Sequence, residues 1–492
     1  MPVIIFIIFF SVGLMLRNGV LMDPDTGWHI ASGDLIRELG RMPASDPWSF
    51  TAGDYPWVDM SWAYDVLLSF VHSAGGLPGV AVFTVALYAL TTALIALSGL
   101  KSSGSVIASF VTCLMCGAVL LPGMLARPQT LTFLLAAAFY LILRFGGWRA
   151  HYAVPLLGIA WANIHGGFLA GPMIVGAFFL EALAARDWSR TVHFMIIGVL
   201  CTAGALVNPY GWHVFEAAHL AMTSEMRALI VEWSPTEIGF QNPAALVFLL
   251  AFLFTGALHE RSIPLADKIL ACFWFLMGLM SGRMMHIAAI LCAPYLAQAI
   301  ALRLRQTNWG EALIARDKNY AADFARPAAY GAFVGVAVAL ATGSLTPPVQ
   351  RALAGPAPFV SLPSSTAPEK AFAFLGANYP HLRLFNEYGM GGYLIYRFRG
   401  EPRIFFDGRV EPAYPRKVMR DGIVIGELGG RKTRDEESAA EWRALVGEYG
   451  IEGFLLSPSR VHLIDRLSGL SAWRKVYEDE HAALFVRADL VR

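Results

Sequence analysis

The chain has 492 residues, 56% of them hydrophobic and 15% charged, with a formal net charge of +1. Soluble domains carry roughly 25% charged residues, so this composition excludes a single water-soluble core and points to a membrane protein. The near-neutral balance gives no electrostatic footprint for nucleic acid, and no nucleic-acid partner is expected. In chain order, Met1 to Leu16 is nearly all apolar, lacks a basic n-region and precedes no small-residue cleavage site. It reads as a retained first span, not a cleaved leader.

Residues 17–75 carry Asp23, Asp25, Asp34, Glu38, Asp46, Asp54, Asp59 and Asp65 against Arg17, Arg37 and Arg41. They read as an acidic outer loop. Within it Trp28, Ile30, Leu35, Ile36 and Leu39 recur at helical spacing, as do Trp62, Leu67, Leu68 and Val71. Two helices lying at the membrane surface are expected. Trp48, Trp57, Trp62 and Tyr64 suit an interfacial aromatic belt.

Further apolar spans are expected near 77–100, 105–123, 129–147, 152–164, 168–185, 191–207, 244–258, 267–282, 285–302 and 328–344. With the first they make about eleven transmembrane helices. Lys101, Arg144, Arg149, Arg186, Arg190, Arg261, Lys268, Arg303, Arg305, Arg316, Lys318 and Arg326 fall in alternate connections. The positive-inside rule places those connections and the N-terminus in the cytoplasm, and the C-terminus outside. Cys113, Cys116, Cys201, Cys272 and Cys292 lie inside apolar spans, so a disulfide framework is not expected. Cys113-x-x-Cys116 reads as helix packing, not a redox pair.

Composition shifts after residue 345. Residues 346–366 are rich in Pro, Ala and Ser and read as a linker. Residues 367–492 read as a small α/β domain on the outer side. Strands are expected at Arg383–Phe385, Arg403–Phe406, Gly453–Leu456 and Ala483–Val486, with helices at Ala367–Ala377, Ala439–Tyr449 and Val461–Leu467. Gly389-Met390-Gly391-Gly392 lacks the strand–loop–helix setting of a dinucleotide site and reads as a turn. Asp407-Gly408-Arg409 reads as a strand-end turn with a local ion pair. The fold class expected is a mainly α-helical polytopic membrane protein with a small C-terminal α/β extracytoplasmic domain.

The polar residues that stand out fall on one side of this topology: Asp23, Asp25 and His29; Arg127-Pro128-Gln129; Asn163 and His165 before Gly166-Gly167; Asn208-Pro209; Glu232-Trp233; Arg283 and His286. Two carboxylates and an imidazole beside hydrocarbon are costly to bury and suited to proton transfer. Asp25, one turn from His29, is the favoured general base, with Asp23 its alternate; a helix N-cap is the competing role. Carboxylate plus imidazole would also suit a divalent metal, Mn or Mg. Arg127 and Arg283 are single cations at span ends, suited either to lipid snorkelling or to gripping a phosphate. His165 sits in a glycine-flanked break of the kind that lines a cavity. His29, Trp28, Asn163, Glu232 and His286 read as substrate-binding.

The segment Asp23-Pro-Asp25-Thr-Gly-Trp28-His29-Ile-Ala-Ser-Gly33, followed by Pro43-Ala-Ser-Asp46-Pro47-Trp-Ser49, resembles the GT-C class of membrane glycosyltransferases, in a poorly characterised bacterial subgroup. Trp161-Ala-Asn163-Ile-His165-Gly-Gly167, Asn208-Pro-Tyr-Gly211 and Phe406-Asp-Gly-Arg409 resemble its later landmarks. The resemblance implies a polyprenyl-phosphate-linked sugar as donor and a glycan, lipid or protein as acceptor. It implies inversion at the anomeric carbon, with a first-loop carboxylate, Asp25 or Asp23, as base. Arg127, Arg283 and His165 would then stabilise the leaving lipid phosphate. It also implies a bacterial inner-membrane location. The Asp-Pro-Asp differs from the acidic pairs of the better-known protein mannosyltransferases. The competing reading is a lipid or polysaccharide transporter, or an assembly partner in cell-envelope glycan synthesis. The spans are largely uncharged at their centres and show no repeated halves, which favours the enzyme.

Overall fold

The computed structural model describes residues 1–53, 55–224, 231–314, 317, 335, 340, 343–344, 346–355, 358–410, 413–428 and 436–491. The expected span at 328–344, apart from 335, 340 and 343–344, lies outside them, as do Asp54, Arg316, Lys318 and Arg326. Two compact units divide the chain. One comprises Met1–Val20, Ala74–Val214 and Arg227–Phe359; the other comprises Leu21–Ser73, Phe215–Met226 and Val360–Arg492.

The helices run in chain order α1 Pro2–Met15, α2 Asp25–Leu39, α3 Trp62–Ser103, α4 Val106–Leu120, α5 Gln129–Phe145, α6 Trp148–His151 and α7 Ala153–Ile164. They continue as α8 Ala170–Ala184, α9 Trp188–Gly204, α10 His213–Thr223, α11 Pro243–Thr255, α12 Leu265–Met280 and α13 Gly282–Arg305. Beyond these lie α14 Pro347–Ala354, α15 Glu369–Asn378, α16 Tyr388–Phe398, α17 Arg416–Leu428, α18 Glu436–Glu448 and α19 Val461–Ser468.

Among the described residues, four helices are long and apolar enough to cross a membrane: Trp62–Ser103, Val106–Gly123, Gly166–Ala184 and Gly282–Arg305. Pro2–Met15, Gln129–Phe145 and Pro243–Thr255 are apolar but shorter. The protein is a membrane protein, and several of the expected spans are short or broken pieces. The 152–164 span, for example, is the 12-residue α7, which stops where His165 turns extended. α3 joins the second surface helix to the first long span. Its helical geometry breaks at Gly76, at φ 60°, two residues before Pro78, where a proline ring would clash with the preceding turn.

In the first unit α12 and α13 form a tight pair, turned at Ser281, whose N–H bonds to Met277 O. Ala288, Ala289, Ala293, Ala297 and Ala299 are buried along α13, and small side chains let membrane helices approach closely. A buried polar network crosses four helices. Arg144 (α5) donates to Glu181 (α8) at 3.0 Å and lies 3.7 Å from Asp267 (α12). Asp267 accepts from Tyr140 OH at 3.1 Å and from Gln298 Nε2 (α13) at 2.7 Å. Each charge taken out of water thus meets an opposite charge or a donor. All five cysteines lie within helices of this unit.

The second unit is built on a mixed five-stranded sheet of order β2-β1-β3-β5-β4. Its strands are β1 Arg383–Asn386, β2 Arg403–Ile404, β3 Gly453–Leu456, β4 Trp473–Glu478 and β5 Ala483–Arg487. β1 runs parallel to both β2 and β3; β5 runs antiparallel to β3 and β4. The first acidic segment extends the β2 edge: Ile404 N–H bonds to Trp48 O, and Phe50 N–H to Ile404 O, both at 3.2 Å. Phe385, Phe405, Phe406 and Phe454 stack in its core.

Three expectations are corrected here. Gly389–Gly392 is not a turn but the start of α16. Nor is α2 a surface helix: Asp25–Gly33 is buried and packs on α16. A β-carbon on Gly27 would lie 2.7 Å from the Gly392 carbonyl carbon, so the two helices touch backbone to backbone and glycine is required on both. β4 and α17 were not anticipated. β4 exposes Arg474, Lys475 and Glu478 at a sheet edge, and charges that protect an edge also mask the strand signal.

Candidate functional site

The candidate residues fall into groups, each within one unit. In the second unit Asp25 opens α2 and is 4% exposed. Asp23 accepts from the Asp25 N–H at 2.9 Å. The helix-capping role weighed for Asp25 therefore falls to Asp23, which satisfies one of the N–H groups left over at a helix start. Four residues on, His29 is buried and its Nδ1 lies 2.6 Å from Asp65 Oδ1. Trp28 stacks on the His29 ring at 3.6 Å and Tyr64 meets it edge-on at 5.4 Å.

Asp59 shares this buried corner. It accepts from Ser61 N–H at 3.0 Å, Ser61 Oγ at 2.9 Å and Ser32 Oγ at 2.8 Å. Burial, reinforced by the neighbouring Asp65 charge, pushes its carboxyl up to about 7. A carboxyl with a raised native value binds its proton more tightly folded than unfolded. Its contribution is complete below the unfolded value and is lost as pH rises toward 7. The wild type should therefore lose thermal stability between pH 5 and pH 8, and Asp59→Asn should flatten that fall. Parallel slopes for the two proteins would show that Asp59 stays ionised.

The same unit contains the Asp407-Gly408-Arg409 turn. Arg409 is buried and donates to both oxygens of Asp407, from Nε at 2.8 Å and from Nη2 at 2.6 Å. Its Nη1 reaches Asp46 in the first acidic segment at 2.8 Å, and Nη2 bonds to Tyr414 OH at 2.9 Å. The guanidinium centre lies 4.9 Å from the ring centres of both Trp48 and Trp57. The expected local ion pair is present, and it also reaches into the first loop. Burial alone would raise the Asp46 carboxyl; Arg409 outweighs it and holds Asp46 below its ordinary range.

In the first unit Arg127 precedes α5, Glu232 lies in the short turn Val231–Trp233, and Arg283 and His286 open α13. Arg127 Nη1 lies 3.2 and 3.4 Å from the two Glu232 oxygens. Arg283 Nε lies 4.0 Å from Glu232 Oε2, and its guanidinium covers the Trp233 ring at 5.0 Å. Arg283 also reaches Gln129 Oε1 at 3.4 Å. Burial would raise Glu232, but Arg127 and then Arg283 outweigh it and hold the carboxyl below the ordinary range. His286 Nδ1 lies 3.4 Å from Arg283 O, and its ring is 5.4 Å from Phe133.

One turn along the same face of α5, Thr132 Oγ1 lies 2.9 Å from His165 Nδ1 and accepts from Trp161 Nε1 at 2.8 Å. Gly167 N–H donates to the same His165 nitrogen at 3.1 Å. Nδ1 is thus an acceptor, and the ring proton belongs on Nε2. Asn163 is committed to backbone: its Nδ2 donates to Ile159 O and Val207 O, both at 2.8 Å.

Arg127, Glu232, Arg283 and His286 therefore come together, with Gln129 at one end. Thr132 joins His165 to the same helix. Thr132 is not singled out by the sequence as part of a site, and Gly408 enters only within the Asp407-Gly408-Arg409 turn. Thr132 could have been found from its i+3 spacing to Gln129; Gly408 carries no side chain to notice. Two guanidiniums facing one carboxylate leave an excess positive charge suited to an anion. Among the described residues no three His, Cys, Asp or Glu side chains converge as a ligand set, and His29 Nδ1 is already engaged by Asp65.

No family model matches the chain, and no curated protein matches it. Solved structures do. The apo oligosaccharyltransferase of Archaeoglobus fulgidus matches with a TM-score of 0.56 at 12% identity, over 93% of this chain and 69% of that one. The Archaeoglobus fulgidus oligosaccharyltransferase AglB in complex with an inhibitory peptide and a dolichol-phosphate matches with a TM-score of 0.58, at 12% identity and the same coverage. A complex of that archaeal oligosaccharyltransferase with Zn and sulfate gives 0.53 at 11% identity, over 92% and 68%. The chain shares its fold with these oligosaccharyltransferases.

Proposed function

We propose that the chain is an integral-membrane glycosyltransferase that moves a sugar from a polyprenyl-phosphate-linked donor to a glycan, lipid or protein acceptor, with inversion. The observation that carries the reading is the Arg127–Glu232–Arg283 arrangement in a chain of GT-C fold. A lipid phosphate matches the chemistry of two guanidiniums that share one carboxylate, and one structural neighbour binds dolichol-phosphate.

The acceptor oxygen or nitrogen attacks the anomeric carbon while its proton passes to the Asp25 carboxylate. The bond from the anomeric carbon to the phosphate oxygen breaks, and the electron pair leaves with the lipid phosphate. Arg127 and Arg283 neutralise the charge that develops on that phosphate, and His165 Nε2–H donates to it. Asp23 sets the start of α2. Trp28 and His29 brace α2 from within. Asn163 pins the backbone beside His165, and His286 orients the start of α13. No step is routed through a metal. On this reading the N-terminus is cytoplasmic, and Asp25 and the α/β part face the outer side of a bacterial inner membrane.

The test uses membranes containing the wild-type chain and a panel of radiolabelled polyprenyl-phosphate hexoses. Release of free polyprenyl phosphate together with label in an acceptor fraction is expected. No release from any donor would sink the enzyme reading and leave a transporter or assembly partner. Arg127→Gln and Arg283→Gln should each raise the donor KM about tenfold or more, since a hydrogen bond to a charged group is worth about 1.5–3 kcal/mol. An unchanged KM in both variants would remove the phosphate role.

A further inference from the structure

We propose that Gly408 is a positioning residue for the Asp25 carboxylate: the Asp407-Gly408-Arg409 turn is the wall against which the base is seated. This rests on the reading of Asp25 as base given above.

Three contacts within the second unit fix where Asp25 stands. Tyr393 OH donates to Leu21 O at 2.6 Å, just upstream of the helix start. Gly392 abuts Pro24, whose carbonyl carbon would lie 2.8 Å from a β-carbon placed at 392. Gly27 meets Gly392 in the same backbone-to-backbone crossing. The backbone at 25 is thereby pinned, and only the side chain remains to be placed.

That side chain lies against Gly408. A β-carbon at 408 would fall 2.6 Å from Asp25 Cγ and 2.9 Å from Oδ2, closer than any real contact. Gly408 is not one of the positive-φ glycines of the chain, so the turn does not need glycine for its backbone shape. The carboxylate needs the space.

The wall itself does not yield. Arg409 N–H bonds to Asp407 Oδ1 at 2.9 Å, closing the turn. The Arg409 guanidinium is held by Asp407, Asp46 and Tyr414 between Trp48 and Trp57, all buried. A methyl group added at 408 therefore displaces the carboxylate and not the turn. A base must stand within hydrogen-bond reach of the proton it takes, and a misplacement of about 1 Å costs on the order of 100-fold in rate.

The experiment uses the full-length chain in detergent with the polyprenyl-phosphate hexose that the wild type turns over. Gly408→Ala should lower kcat about 100-fold while leaving the donor KM unchanged, because the phosphate grip is untouched. A kcat within about threefold of wild type would overturn the proposal. A second pair of measurements covers the case in which Gly408→Ala folds poorly. Gly408→Ala should lower the unfolding temperature clearly in the Asp25 chain and much less in an Asp25→Ala chain, where the clashing carboxylate is gone. Equal losses in both backgrounds would overturn the contact. Absence of turnover by the wild type with every donor would sink the glycosyltransferase reading instead, and the unfolding pair would still decide whether Gly408 seats Asp25.

Discussion

If Asp25 is the base proposed above, Asp25→Asn should abolish all but a residue of sugar transfer, with a loss of about 100- to 10,000-fold, the range for removing a general base. The exchange is nearly isosteric. Asp25 is 4% exposed at the start of α2, and the amide fits the same space against Gly408 while lacking the basic oxygen. Protein level and unfolding temperature should therefore stay near wild type. Asp23→Asn is the informative contrast. Asp23 accepts the Asp25 N–H, so its loss should cost about 1 kcal/mol of helix-start stability and change the rate far less. Asp25→Glu should not restore transfer, because the longer arm is driven into the Gly408 turn. The measurement is the surface-glycan composition of cells lacking the protein, rescued with each variant at equal membrane level. A wild-type glycan from Asp25→Asn would exclude Asp25 as the base and move the test to Asp23.

Arg409→Leu should be the most destabilising single change in the second unit, by about 3–5 kcal/mol. Removing one partner of a buried ion pair leaves uncompensated charge in a low-dielectric interior. Here two carboxylates, Asp46 and Asp407, lose the same guanidinium, and Trp48 and Trp57 lose the cation between them. The pH dependence should weaken as well. In the wild type Asp46 is held below its ordinary range. The stability it contributes is present above the unfolded carboxyl value and is lost as pH falls through the lower native one. In the variant only Ser49 and the Trp48 N–H still oppose burial, so the native value of Asp46 rises and the loss on acidification shrinks. Tryptophan fluorescence during thermal unfolding at pH 3 and pH 8 reads both effects. A loss below about 1 kcal/mol would mean that the pocket admits water and the charges are solvated.

The parts of the fold legible in sequence were those that repeat. Apolar runs gave the long spans around α3, α4, α8 and α13, and short strand-like apolar runs gave β1, β3 and β5. What was missed shares one physical cause. α16 begins with Tyr388-Gly-Met-Gly-Gly392, poor helix formers by propensity, yet the helix forms because glycines there allow α2 to approach. Tertiary contact overrides local preference at such a crossing, and a single sequence does not say what will cross it. The site divides in the same way. Arg127, Glu232 and Arg283 stood out as charges in apolar surroundings, and the structure brings them together. His29 and Trp28 stood out for the same reason, yet His29 is spent on Asp65 and Trp28 stacks on its ring. Gly408 is chemically silent, and its part depends on a neighbour 383 positions away in sequence.

The second unit takes its residues from 21–73, 215–226 and 360–492. This arrangement sets an order for biogenesis. The early acidic segment leaves the ribosome about 350 residues before the strand it pairs with, counted from Phe50 to Ile404, and long-range pairing of this kind waits on the late part of the chain. Until β2 is made, the Trp48 and Phe50 backbone groups that bond to Ile404 have no partner there, and Asp46 waits for Arg409. An interrupted chain would carry Asp25 in an unfinished segment, so the surroundings of that carboxylate are complete only with the final quarter of synthesis.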